Sequence, residues 1–290
     1  MKPLPKKAPW FDFDDQYDKY LGLKRDLYLD DKRRNAVFSS SGEHKEFWKD
    51  VLAALKNRYH TFLSLNFKNE FKNDINGEVW DLGKCDPFLA AALSFQEDFV
   101  LLELNDGSPK IKDASVAFPS RWNPVHASGQ TIEDTHKPGV RFTRLIHPFP
   151  FLHLATDLPI ATLPSNVTYT SDNVRNNLFL RLEKQRFFPG NIITGNNNHK
   201  NLVLMTIKTY VLPLYAVEAN TRFAQSLLNL YQGFRDEPVE GGQFIEYRGG
   251  TSAFIDPVIE YLTQVVSANS LQTQNFALPK SMYDMPTLVS

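Results

Sequence analysis

The chain has 290 residues, a formal net charge of −1 and 42% hydrophobic residues, enough for one large domain with a substantial core. The near-neutral charge argues against a nucleic-acid or anionic-membrane binder. The single cysteine, Cys85, excludes an intrachain disulfide framework and an iron–sulfur cluster held by this chain alone.

Residues 1–35 carry clusters of Lys and Asp among aromatics and are expected to form an extended lead-in. They lack the apolar run of a signal peptide, and no stretch of the chain is apolar for long enough to span a bilayer, so a cytoplasmic chain is expected. His44 to Lys56 is predicted as a helix, because Phe47, Trp48, Val51, Leu52 and Leu55 recur at three- and four-residue steps. Asn76-Gly77 marks a turn. Pro87 to Glu97 is a second helix with Phe88, Ala91, Ala92 and Phe95 on one stripe.

From Asp98 the period changes. Phe99 to Leu104 and Ile111 to Phe118, separated by Asn105-Asp106-Gly107-Ser108, read as a hairpin. Gly139 to Ser165 is proline-rich and predicted irregular. Leu178 to Phe188 alternates, with Arg181, Glu183, Gln185 and Phe187 on one face. A loop rich in Gly and Asn follows, and Leu202 to Leu212 returns as the partner strand, with Lys208 and Tyr210 sharing a face. Arg181, Glu183 and Gln185 are expected opposite Lys208 and Tyr210, as a cleft-lining network or as ordinary cross-strand pairs on a solvated face. Helices over about Ala219 to Phe234 and Ala253 to Ser267, the latter capped by Ser252, precede a polar tail at 269–290. Sequential hairpins flanked by helices predict an α+β fold and a single domain over 36–268.

No phosphate-binding glycine loop, dinucleotide fingerprint, zinc-protease helix or nucleophile elbow occurs. The seven histidines are then the remaining metal-ligand candidates. His136 lies between Thr135 and Lys137-Pro138-Gly139, off any regular face. His147 and His153 sit in the proline-rich run.

Several short stretches occur in a telling order: Asn76-Gly77-Glu78, Gln96-Glu97-Asp98, Phe118-Pro119-Ser120-Arg121-Trp122, and His136 followed by Pro138. Leu180-Arg181-Leu182-Glu183-Lys184-Gln185, Ile207-Lys208-Thr209-Tyr210-Val211-Leu212-Pro213-Leu214 and Tyr247-Arg248-Gly249 follow. This order, from about 75 to 265, resembles the haem-dependent oxidative N-demethylase family, the alpha subunit of dimethylamine monooxygenase. Two residues depart from the family pattern: Gly139 follows Pro138 where a Val-Pro pair is usual, and Lys208 stands where the strand carries Arg.

The resemblance implies a PAS-like antiparallel sheet with flanking helices that binds haem b. It implies removal of a methyl group from a small alkylamine, dimethylamine-like, with O2 as oxidant, formaldehyde as product, and electrons from a separate flavin and iron–sulfur reductase subunit. His136 would be the haem-iron ligand, with His147 as second choice. Arg121 would pair with a propionate and Trp122 would pack on the macrocycle, with Arg181 and Lys208 as further cofactor contacts. Glu183 would hold the alkylammonium, and Tyr210 would donate a hydrogen bond near bound oxygen. A haem-binding PAS sensor without turnover and a degenerate scaffold subunit are the alternatives.

Overall fold

The structure is a computed structural model and describes residues 10–61, 63–65, 70–104, 108–118, 124–135, 151–153, 168–236 and 254–270. The stretch expected to be extended contains two helices, α1 (Tyr17–Leu29) and α2 (Asp31–Val37). The inward stripe of α1 is Tyr17, Leu21, Leu27 and Tyr28, and Lys24 lies within that stripe, fully buried. A charge in an apolar stripe is what hides the helix from its periodicity. Asp30 caps α2 by accepting the amides of Lys32 and Arg33.

β1 (Phe38–Ser39) and α3 (Lys45–Arg58) follow, the latter burying the five residues its spacing predicts. β2 (Leu63–Leu65), β3 (Glu70–Asn73) and β4 (Glu78–Asp81) form a small antiparallel sheet around the predicted turn, where Gly77 has φ of 76°. α4 (Pro87–Ser94) is capped by Asp86 and stops before the expected end at Glu97. Phe95 is extended there, and residues 95–97 bend inward with their side chains buried.

β5 (Asp98–Glu103) and β6 (Lys110–Ser115) make the predicted hairpin, with a register shift between Leu101 and Leu102. The helical turns α5 (Pro124–Ala127) and α6 (Ile132–Thr135) come next. The remaining elements are β7 (Phe151–His153), α7 (Ser171–Asn177), β8 (Phe179–Pro189), α8 (Gly190–Thr194), β9 (Leu202–Pro213), α9 (Thr221–Asp236) and α10 (Ile255–Ser270). β7 falls in the stretch predicted irregular, and α8 in the predicted loop. The proposed cap Ser252 and the tail from residue 271 onward lie outside the described residues.

The large sheet runs β1-β6-β5-β9-β8-β7. β9 inserts beside the first strand of the early hairpin, antiparallel, pairing Asp98 with Ile207 through to Glu103 with Leu202. The fold is α+β. The chain divides into two compact units, Met1–Phe151 with Arg181–Val211, and Leu152–Leu180 with Leu212–Ser290.

In the first unit the sheet has a core on each face. On one side, Phe11, Phe47, Trp48, Phe88, Phe95 and Phe99 pack with Phe188, Leu202 and Leu204. On the other, Val100, Leu102, Ile111 and Met205 pack with Ala127 of α5 and Ile132 of α6. The second unit has its own core of Val174, Leu178, Leu214, Leu227, Val258 and Leu262. There Glu218 takes Arg175 at 3.0 Å and the Tyr261 hydroxyl at 2.6 Å.

Candidate functional site

Side-chain alternation assigns the residues of β8 and β9 to two faces of the first unit. Even-numbered residues face the aromatic core and the N-terminal segment. Lys184, Arg186 and Tyr210 there converge on Asp12, and Phe188, Leu202 and Leu204 pack in that core. Odd-numbered Phe187, Val203, Met205 and Ile207 face the core that contains α5 and α6. Glu183 and Gln185 share their parity and are joined by a 3.1 Å hydrogen bond from Gln185 Nε2. The expected network of Glu183 and Gln185 with Lys208 and Tyr210 therefore does not form, because the two pairs occupy opposite faces.

The odd face carries a partly buried apolar strip. Phe187, Val203 and Ile207 are only partly buried and form a strip over Val100, Leu102 and Met205. Glu183, also half-buried, lies along β8 from that strip. Ile132 of α6 packs into the same cluster. His136 directly follows α6 in the sequence and lies outside the described residues. The Asp98 carboxylate accepts the amides of Ala117 and Phe118, each at 3.0 Å. Arg121 and Trp122 follow Phe118 in the sequence and lie outside the described residues.

The even face carries a largely buried polar cluster. Asp12, with no exposed side-chain surface, accepts Arg186 Nη2 at 2.9 and 3.0 Å, Lys184 Nζ at 3.1 Å and the Tyr210 hydroxyl at 3.0 Å. The single proton of Tyr210 is engaged by Asp12, so any other partner meets its oxygen as an acceptor. Glu97 Oε1 accepts the Asp12 amide at 2.7 Å and lies 3.8 Å from Arg186 Nη1. Burial pushes the Glu97 carboxyl up to about 7, against the pull of the Asp12 amide and Lys208. Lys24 donates to the carbonyls of Ala92, Phe95 and Glu97 and lies 3.6 Å from Asp98. Burial draws its ammonium below the ordinary lysine range, opposed by Asp98 and Glu97. Lys208 Nζ is 3.1 Å from Asp14 Oδ2 and sits over the rings of Tyr20 and Tyr210 at 4.9 and 5.6 Å. Its approach to Asp14 is close enough for an ion pair but is not directed as a hydrogen bond.

The residues that pattern reading missed are those of this cluster: Asp12, Lys24, Glu97, Asp98 and Arg186. The available signals are a lysine inside the α1 stripe and an aspartate between Phe11 and Phe13, since charges in apolar settings are rare unless paired. Of the predicted site residues, Arg121, Trp122, His136 and His147 lie outside the described residues, as does the side chain of Arg181. The described histidines of the first unit include His199, 3.0 Å from Asp50, and His44, 3.7 Å from Asp113. Among the described residues no group of three or more His, Cys, Asp or Glu could hold a metal ion.

The family model of the haem-dependent oxidative N-demethylase, alpha subunit-like, matches residues 3–147. The chain belongs to this family. The N-demethylase match spans Asp12, Lys24, Glu97, Asp98 and α6, and it includes the stretches of Arg121, Trp122 and His136. The strands β8 and β9, which also resemble the family, lie beyond it. No curated protein matches the chain. Among the described residues no helix is long and apolar enough to cross a membrane.

Proposed function

We propose that this chain is the haem-binding alpha subunit of an oxidative N-demethylase acting on a small secondary alkylamine, and that haem b lies against the odd face of the sheet. The observation that carries the reading is the half-buried apolar strip of Phe187, Val203 and Ile207 beside α6, within the unit that contains the family match. An apolar strip with one carboxylate along its edge is the surface a flat macrocycle and a cationic substrate require.

In this reading His136 would hold the haem iron, with His147 the second choice. Arg121 would pair with a propionate, and Trp122 would pack on the macrocycle. Bound haem would supply the activation of dioxygen and the oxidation of the N-methyl carbon. Glu183 holds the alkylammonium by charge, steadied by Gln185. Tyr210 and Lys208 act from behind the sheet, bracing β9 through Asp12 and Asp14 rather than touching the substrate. The net reaction takes the amine, dioxygen, two electrons and two protons to the demethylated amine, formaldehyde and water, with electrons from a separate flavin and iron–sulfur reductase subunit. The sheet order, with β9, β8 and β7 added to the β5 side of the first hairpin, supports a PAS-like fold. The single cysteine suits a cytoplasmic protein whose iron–sulfur centre sits on a partner.

Purified full-length chain titrated with haem is expected to give a Soret band that His136→Ala abolishes or shifts. A chain that takes up no haem overturns the reading, and loss of the band in His147→Ala alone moves the ligand. Formaldehyde release from dimethylamine with a surrogate reductant is expected. A haem-loaded chain without that turnover is a sensor or scaffold instead. The position of Tyr210 behind the sheet, away from Glu183, is the observation that favours this second reading.

A further inference from the structure

The buried polar atoms on the even face with no hydrogen-bond partner in the protein among the described residues include Glu97 Oε2, Thr206 Oγ1 and Lys208 Nζ. None of the three residues is more than 1% exposed. They are neighbours by register. Phe99 pairs with Thr206 and Asp98 with Ile207, so Glu97 comes alongside Lys208, and Thr206 and Lys208 lie on one face two residues apart. The pull of Lys208 on the Glu97 carboxyl agrees with that placement. A carboxyl and an ammonium brought side by side in a sealed interior normally bond directly, because each pays a large desolvation cost otherwise. Here they do not.

We propose that Glu97, Thr206 and Lys208 enclose a small neutral hydrogen-bonding molecule, a water, which lets the buried Glu97 carboxyl gain and lose its proton inside the folded protein. The charges select the ligand class. An anion would face Glu97, Asp12 and Asp14, the last 3.1 Å from Lys208 Nζ, and a cation would face Lys208, Lys24 and Arg186. A water has three polar partners, within the usual range for a buried one. It accepts from Lys208 and donates to Thr206 in both states. It accepts from Glu97 when the carboxyl is protonated and donates to it when ionised, so no polar atom is orphaned by the proton's departure. The other charged or titratable groups around Glu97 are Asp12 on the N-terminal segment, Lys24 on α1, Tyr59 after α3, Asp98 on β5, and Lys184 and Arg186 on β8. The inference stands apart from haem binding, and its tests use the full chain without haem.

Thr206→Val keeps the shape and removes the hydroxyl. If Oγ1 bonds a trapped water, the folded-to-unfolded ratio falls roughly threefold to tenfold. An unchanged or raised ratio means the hydroxyl was unbonded and overturns the proposal. Infrared difference spectra across neutral pH are expected to show a protonated-carboxyl band that titrates in the wild type and is missing in Glu97→Gln. Lys208→Met should move its midpoint up by about one pH unit, and Lys208→Arg should restore it. A carboxyl band that does not titrate, or one that Lys208→Met leaves in place, overturns the proposal, as does direct Glu97–Lys208 contact in a high-resolution crystal structure.

Discussion

Glu97→Gln should change the pH dependence of stability while leaving the fold in place. Burial raises the Glu97 carboxyl from 4.5 to about 7. The unfolded chain therefore releases this proton near 4.5, and the folded chain keeps it until about 7. Between those values the folded state binds more protons than the unfolded state, so stability falls as pH rises. The contribution is fully present below the unfolded value and is lost through the folded one. At about 1.4 kcal/mol per pH unit, the loss from about pH 5 to about pH 8 comes to roughly 2 to 3 kcal/mol. The substituted amide cannot ionise, and its carbonyl oxygen can still accept the Asp12 amide that Glu97 accepts at 2.7 Å. Lys24 and Lys184 are shifted down, which works in the opposite sense as pH rises; both are present in either protein, so the difference carries only the part of their shifts that Glu97 opposes. Urea unfolding of the two chains across that range is the measurement. The variant should gain on the wild type by that amount toward the alkaline end. Curves that stay parallel within about 0.5 kcal/mol, the ordinary additivity error, refute the assignment.

Two further substitutions grade the same cluster. Arg186→Met removes a buried partner of Asp12 and should cost about 3 to 5 kcal/mol, whereas Lys184→Met, whose side chain is 30% exposed, should cost about 1 kcal/mol or less. Equal losses in denaturant titrations would mean that burial does not set their weight. Gly190→Ala would drive a methyl into the carbonyl oxygen of His199 and to 3.0 Å from that of Leu202, at a cost of roughly 1 to 3 kcal/mol in thermal unfolding.

Regular periods made much of this fold legible. The five inward residues of α3, the β5–β6 hairpin and the alternation along β8 and β9 all appear where the residue pattern puts them. Three kinds of information were absent from it. A buried lysine in α1 looks like a surface residue until Asp98 and three carbonyls are brought to it. Strands of three or four residues, such as β2 to β4, are too short to show a period. Most consequentially, alternation says which residues of one strand share a face but not which face of the next strand joins them. Parity placed Arg186 and Lys184, rather than Glu183 and Gln185, beside Tyr210. The N-terminal resemblance, by contrast, holds through the family match over 3–147.

Asp12 also bears on the order in which the protein is made. It leaves the ribosome long before its partners Lys184, Arg186 and Tyr210, which lie 172, 174 and 198 residues further along the chain. Until β9 has been synthesised, this aspartate lacks the full set of those three partners, and the segment that carries Phe11 into the aromatic core lacks the complete β8 and β9 pair to cover. The first described residues thus complete their contacts only once β9 has been made, a long-range closure that favours slow folding. A chain shortened to begin after residue 14 would lose the shared counter-ion of Lys184 and Arg186 and that of Lys208, not merely a loose end.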